Sequence, residues 1–354
     1  MAEAADKTNQ GRFFEDFHLG EELIHATPRT VTQGDVALYG ALYGSRFAVQ
    51  SSVAFARAIG YASAPIDDLL TFHAIFGKTV PDVSLNAIAN LGYAQGRFLK
   101  PVLPGDTLSA SSRVIGLKEN SNGTTGTVYV ATAGRNQQGE TVLDFVRWVM
   151  LRKRNEKVPA PAGTPPKLVD RVAPTELGAA VPVIDRTRWD KRLSGSPCLW
   201  GDYRAGERID HVNGQTIEEA EHQLATRLYQ NAAKVHFNKH TEAKGRFGKR
   251  IVYGGHVISI ARALSFNGLA NAFHIAAING GRHVAPAFAG DTVYAWSEIL
   301  ETAEIPGRTD IGALRVRMIA TKDLPCGGFP GAKADGSYDE GVILDFDIWV
   351  VLPR

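Results

Sequence analysis

The sequence predicts an α+β protein made of two tandem copies of one unit, each an antiparallel sheet curled around a single apolar helix. Three observations carry this. Residues 20–52 slide onto residues 206–238 without a gap at an offset of 186, with eight identities in 33, among them His25/His211, Leu42/Leu228 and Tyr43/Tyr229. The block GRFLKPVLPGDTL (96–108) matches GRHVAPAFAGDTV (281–293) at an offset of 185, six of thirteen identical. Each copy then closes on a related run, VLDFVRWVMLRKR (142–154) and ILDFDIWVVLPR (343–354). Near-equal offsets mean that elements follow one another in the same order and spacing within each copy.

Within a copy, a short polar-led strand comes first, then a helix, then several long strands. Leu69, Phe72, His73 and Phe76 recur at i, i+3, i+4 and i+7, as do Val257, Ile260, Ala261 and Leu264, so each copy holds one buried helix, over residues 69–80 in the first. Leu314, Val316, Met318 and Ala320 alternate with polar residues, and Val342, Leu344, Phe346, Ile348 and Val350 share a parity, the period of half-buried strands. The paired Gly-Asp-Thr segments at 105–107 and 290–292 read as tight turns opening strands. Residues 152–197 hold seven of the 17 prolines with little periodicity and read as an extended, solvated connector. The expected division is therefore 1–151 for the first unit, 152–197 for the linker and 198–354 for the second unit.

A chain of 354 residues agrees with two domains. A net charge of +2 gives no global field that calls for nucleic acid or an anionic membrane. Two cysteines, Cys198 and Cys326, are too few for a disulfide framework and suggest a reducing, cytoplasmic setting. Residues 1–11 lack the basic and apolar regions of a secretory leader, and no run reaches membrane-spanning length.

Several motifs fail on spacing. Gly77-Lys78-Thr79 imitates the end of a phosphate-binding loop, but Phe72 stands where an earlier glycine is required. His236 and His240 have the spacing of a zinc helix, yet Phe237 replaces the catalytic glutamate and no carboxylate or cysteine cluster accompanies them, so no metal is expected. Asp67 and Asp68 precede a helix, where one of them suits an N-cap.

The informative contrast lies between the copies. LYGSRFAVQSS (42–52) faces LYQNAAKVHFN (228–238), and both resemble the hydratase motif of the MaoC-like, (R)-specific enoyl-CoA hydratases of the hot dog fold. In that family an aspartate and a histidine five residues later share a catalytic water. Those positions are Ser45 and Gln50 in the first copy, which cannot exchange protons, and Asn231 and His236 in the second. The resemblance implies a double hot dog, a silent first unit, and His236 as the acid-base group, with Asn231 departing from the family pattern because an amide is no base. The entry IVYGGHV (251–257) resembles the family's turn into its central helix, which assigns Tyr253 to substrate binding and Gly254 and Gly255 as donors to a thioester oxygen. Asp68 and Leu69 are expected opposite Tyr253 and Gly254. His256 and His283 lie near these elements and read as packing or supporting residues.

Over nearly the whole chain, stretches such as residues 67–98, 116–130 and 233–269 are similar to a narrower family, the 2-methylfumaryl-CoA (mesaconyl-C1-CoA) hydratases or β-methylmalyl-CoA dehydratases. That resemblance implies a hydro-lyase interconverting 2-methylfumaryl-CoA and (2R,3S)-β-methylmalyl-CoA in the 3-hydroxypropionate bicycle and the ethylmalonyl-CoA pathway, without cofactor, as a homodimer of double hot dogs. Its substrate carries a free carboxylate, for which Lys234 and Arg262 are the candidate cations. Two alternatives stay open at this point: an acyl-CoA thioesterase attacking carbon 1, and a non-catalytic acyl-CoA binding protein.

Overall fold

In a computed structural model describing residues 7–354, ten strands form one continuous antiparallel sheet; the first six residues of the stretch read above for a leader lie outside it. The first unit contributes β1 (Glu22–Thr30), β2 (Ala87–Phe98), β3 (Thr107–Glu119), β4 (Thr125–Arg135) and β5 (Thr141–Arg152). The second contributes β6 (Arg208–Thr216), β7 (His274–His283), β8 (Thr292–Glu304), β9 (Ile311–Lys322) and β10 (Val342–Pro353). The order is β1-β3-β4-β5-β2-β7-β10-β9-β8-β6. It reads the same from either edge once each strand is exchanged for its copy, so a pseudo-twofold axis passes between β2 and β7. There Tyr93 pairs with Gly281 and Arg97 with Ala277.

Each half sheet wraps one central helix, Asp68–Thr79 in the first unit and Gly254–Leu264 in the second, which is the double hot dog arrangement. The first begins where Asp67 accepts the Leu69 N–H at 2.9 Å, the N-cap expected of one aspartate in this pair. Every residue from Leu69 to Thr79 is buried, because the sheet covers one side of the helix and the second unit the other. Gly77 makes this packing possible: a Cβ there would overlap the backbone carbonyl oxygen of Tyr229. Apolar residues of both helices, such as Leu69, Phe72, Val257 and Ile260, share one buried cluster.

The duplication extends to buried polar contacts. His25 Nε2 meets Ser112 Oγ at 2.7 Å, and His211 Nε2 meets Ser297 Oγ at 2.8 Å. The hydroxyls of Tyr43 and Tyr229 touch each other across the axis at 2.8 Å. The Gly-Asp-Thr segments are turns as expected: Asp106 and Asp291 accept the N–H of Leu103 and Phe288, and their glycines hold φ of +103° and +96°.

The connector is mostly exposed over residues 154–171, as its prolines suggest, but its later part packs. Val172, Leu177, Val181, Ile184 and Trp189 are buried in a cluster with Phe55, Ile59, Phe273 and Trp349. Arg308 donates to the carbonyls of Val181 and Pro182, both at 2.8 Å. Proline removes a backbone donor but leaves the apolar residues between prolines free to pack, so this segment clasps the first unit to the second. Both cysteines are free thiols. No helix among the described residues is long and apolar enough to cross a membrane.

Candidate active site

Local geometry aims His236. After the helix Glu219–Leu228 the chain turns at Gln230 (φ 53°), buries Asn231, and enters the short helix Lys234–Phe237. Asn231 Oδ1 accepts the Ala233 N–H at 2.9 Å, closing that turn. Gln223 donates to the His236 carbonyl, and Ile251 N–H donates to Val235 at 3.1 Å. Ile251 also accepts from the ring: His236 Nδ1 lies 2.8 Å from its carbonyl oxygen. A carbonyl only accepts, so the proton sits on Nδ1 and Nε2 keeps its lone pair. Burial lowers the ring to a pKa of about 4, outweighing the opposing pull of the Ile251 carbonyl, so His236 is neutral at pH 7 with Nε2 free to accept a proton.

The second element is the start of the central helix. Tyr253 is its N-cap and makes no side-chain cap, so the N–H groups of Gly254 and Gly255, the first two helical positions, have no intrahelical acceptor and no capping side chain. Glycine is required at both. A Cβ on Gly254 would run into the His283 ring, and one on Gly255 would lie 2.5 Å from His73 Cε1. The Tyr253 ring stands edge-on to His236, 5.7 Å between centroids, so imidazole and amides flank the same residue.

The first unit builds the other wall. His73 Nδ1 meets the Tyr253 hydroxyl at 3.2 Å and His73 Nε2 meets Ser259 Oγ at 3.2 Å. Tyr93 meets His283 Nε2 at 3.2 Å, and Phe76 packs 5.7 Å from the Tyr253 ring. His256 is buried and its Nδ1 contacts the Tyr43 hydroxyl at 2.9 Å. Sequence reasoning did not reach Tyr93, His73 or Phe76, because nothing local says which unit they face.

At the equivalent positions of the first unit the polar groups are already engaged. Ser45 Oγ donates to Asp67 at 3.3 Å and Gln50 Nε2 donates to the Phe273 carbonyl at 2.6 Å. The N-caps define the register, and it is Asp67, not Asp68, that corresponds to Tyr253, with Asp68 opposite Gly254; the central helices follow the 186 offset of the segment before them rather than the 185 of the block after them. Asp67 occupies the Leu69 N–H, and Asp68 accepts from His274 and from Ile275 N–H at 2.8 and 2.7 Å. Burial beside Asp68 raises the Asp67 carboxyl to about 6.

The two expected cations differ in their surroundings. Arg262 is engaged elsewhere: it is buried over the Phe47 ring at 3.8 Å and donates to the Ala272 carbonyl and, at 3.2 Å, to Ser265 Oγ. Lys234 is exposed at the start of its short helix. His240 is exposed as well, and no cluster of three or more metal-ligating side chains occurs among the described residues. A groove of about 640 Å³ lined by Arg97, Arg113, Arg135 and Asp144 opens on the outer face of the first half sheet, since Asp144 leaves β5 on the side opposite Phe145, which packs against Phe72 of the central helix.

Six histidines, His222 among them, are held below the ordinary imidazole range by burial and dominate the acid stability. His73 and His256 are lowered to about 3, and His211, His236 and His283 to about 4, each chiefly by burial. Below a pH of about 6.5 the unfolded chain takes up protons that the folded chain refuses, so stability falls with pH. Asp67 works in the opposite sense as one group. The thermal midpoint is therefore expected to drop between pH 7 and pH 5 in a melting series; a rising midpoint would contradict these environments.

A family model described as mesaconyl-CoA hydratase matches residues 1–332. The chain is 63% identical over 349 residues to the β-methylmalyl-CoA dehydratase of Chloroflexus aurantiacus, covering 98% of this chain and 99% of that one. It is 58% identical to the mesaconyl-CoA hydratase of Cereibacter sphaeroides, covering 98% and 100%. A crystal structure of a MaoC domain dehydratase from Chloroflexus aurantiacus superposes with a TM-score of 0.96 at 63% identity, covering 98% of this chain and 99% of that one. A Mycobacterium tuberculosis protein described as having a double hotdog fold superposes with a TM-score of 0.74 at 24% identity over 97% and 99%, a likeness of fold alone.

Proposed function

The chain belongs to the mesaconyl-CoA hydratase family, and from that membership and the site's geometry we propose that it reversibly adds water to 2-methylfumaryl-CoA to give β-methylmalyl-CoA. The observation that carries the proposal is the Nδ1–H of His236 committed to Ile251, which leaves Nε2 as the acceptor, with the ring 5.7 Å from that of Tyr253, the residue that leads into the Gly254 and Gly255 amides.

Conjugation to the thioester makes the β-carbon electrophilic. Water attacks there, and charge accumulates on the thioester oxygen. Nε2 of His236 takes the proton as the C–O bond forms, and the Gly254 and Gly255 amides hold the enolate oxygen. The imidazolium then returns a proton to the α-carbon, so the hydroxyl and hydrogen of one water end on neighbouring carbons and the enzyme is regenerated. Asn231 cannot act as a base; with Oδ1 given to Ala233, its amide N–H groups orient the water. The test is loss of the enoyl-thioester ultraviolet band on mixing protein with mesaconyl-C1-CoA, with no free thiol appearing. Thiol release would favour a thioesterase, and binding without turnover an acyl-CoA binding protein.

Gly254→Ala would force the His283 ring aside while leaving every donor chemically intact. We expect kcat/KM to fall by at least about tenfold, since a displacement near 1 Å at a reacting centre is that costly. Adding His283→Ala should restore part of the loss, and a single variant with unchanged kinetics would remove this turn from the mechanism. One chain already supplies both walls of the site, so the homodimer is proposed as an assembly that the site itself does not require. Light scattering tests it. The cytoplasm is the proposed compartment, supported by the two free thiols.

A further inference from the structure

The proposed substrate carries a carboxylate on the very carbon that water attacks, and of the two cations expected from the sequence Arg262 is engaged elsewhere and Lys234 is exposed. We infer that Arg147, from the first unit, binds this carboxylate and sets the preference for dicarboxylic thioesters. The inference rests on the proposed reaction for the identity of the ligand, but its observations are independent of it.

Arg147 lies in the middle of β5, directly opposite Tyr93 of β2, with no solvent exposure. Its guanidinium lies 4.4 Å over the Phe76 ring, and Phe76 in turn packs against both Tyr93 and Tyr253. The side chain therefore sits behind the residues that carry His283 and the Gly254 turn. Its hydrogen-bond partners are all neutral: Thr79 Oγ1 at 2.7 Å, Ser84 Oγ at 3.2 Å and Asn90 Oδ1 at 3.5 Å. No ion pair joins it to any carboxylate among the described residues. Two further donors, Arg147 Nε and Asn90 Nδ2, are buried with no partner. A buried guanidinium without a carboxylate partner is costly to keep, and the unpartnered Arg147 Nε and Asn90 Nδ2 are donors that an anion with two acceptor oxygens would satisfy. A planar carboxylate fits the guanidinium fork.

The duplication supplies an independent argument. Along one parity of β5 run Leu143, Phe145, Arg147, Val149 and Leu151, and along β10 run Leu344, Phe346, Ile348, Val350 and Leu352. The single departure from an apolar stripe is Arg147, where the copy has Ile348. Because the axis sends each sheet toward the other unit's site, Arg147 serves the His236 site and Ile348 the silent one. The charge is present where there is chemistry and absent where there is none.

The experiment measures binding of succinyl-CoA and butyryl-CoA, unreactive thioesters with and without the carboxylate, together with turnover of mesaconyl-C1-CoA, for the full-length protein, Arg147→Met and Asn90→Asp. Breaking a buried charge pair costs enough to expect at least about a thirtyfold fall in the succinyl-to-butyryl affinity ratio in Arg147→Met. Asn90→Asp gives the guanidinium an internal counter-ion, so it should lose the same preference while its thermal midpoint rises. A merely structural arginine would give the reverse for Arg147→Met, a lowered midpoint with the ratio kept. A retained ratio in either folded variant overturns the inference. Failure of the wild-type protein to hydrate mesaconyl-C1-CoA would instead overturn the proposed function, and a succinyl-CoA preference that depends on Arg147 would survive it.

Discussion

His236→Ala is expected to lower kcat for hydration of mesaconyl-C1-CoA by about a thousandfold, within the range that a positioned acid-base group contributes, while KM changes little. The substitution removes the proton acceptor and nothing that holds the thioester: the amides of Gly254 and Gly255 stay in the first helical turn, and Arg147 belongs to the other unit. His236→Gln keeps a polar side chain of similar reach but cannot exchange protons, so it should be equally inactive. The pH profile gives a second readout. Since burial lowers His236 to about 4, the basic form persists well below neutrality, and kcat/KM should hold to about pH 5 before falling on the acid side. A variant retaining more than a tenth of the activity would assign the proton transfer elsewhere.

Gly77→Ala is expected to be the most damaging small change in the fold. The new methyl would collide with the backbone oxygen of Tyr229, which has no rotamer to escape through, so the two units must separate locally. Overpacking of this kind costs about 3 kcal/mol or more, equivalent to a fall in thermal midpoint of at least about 5 °C. Activity should fall too, because the displaced segment leads directly into Asn231 and His236. Gly40→Ala is the control: Gly40 sits inside the helix Gln33–Tyr43, and nothing lies within 4 Å of the place its new methyl would take, so there alanine should stabilise by about 0.5–1 kcal/mol through helix propensity. Similar melting curves for the two variants would show that the interface can yield.

The site was only partly legible in the sequence. His236, Asn231 and the Gly254 turn lie within 25 residues of each other, and comparing the copies singled them out because one half kept what the other lost. Proline density reports backbone geometry rather than burial, so the exposed first part of the connector follows from it, whereas the buried second part is decided by Val172, Leu177, Ile184 and Trp189. Arg262 and Lys234 were chosen for nearness in sequence. Arg147 carried a readable signal, a charge on the apolar parity of a strand, but that signal says only that something unusual is buried.

Periodicity and internal repetition are local properties, and they alone established the duplication, the two wrapped helices and the half that retains an imidazole. Which residues meet across the axis is a property of the pairing between β2 and β7, which brings Tyr93 beside Gly281 and turns Tyr93, Phe76, His73 and Arg147 toward the second unit's turn. An alternating pattern fixes the face on which a side chain lies; only the closed sheet decides whose site that face completes.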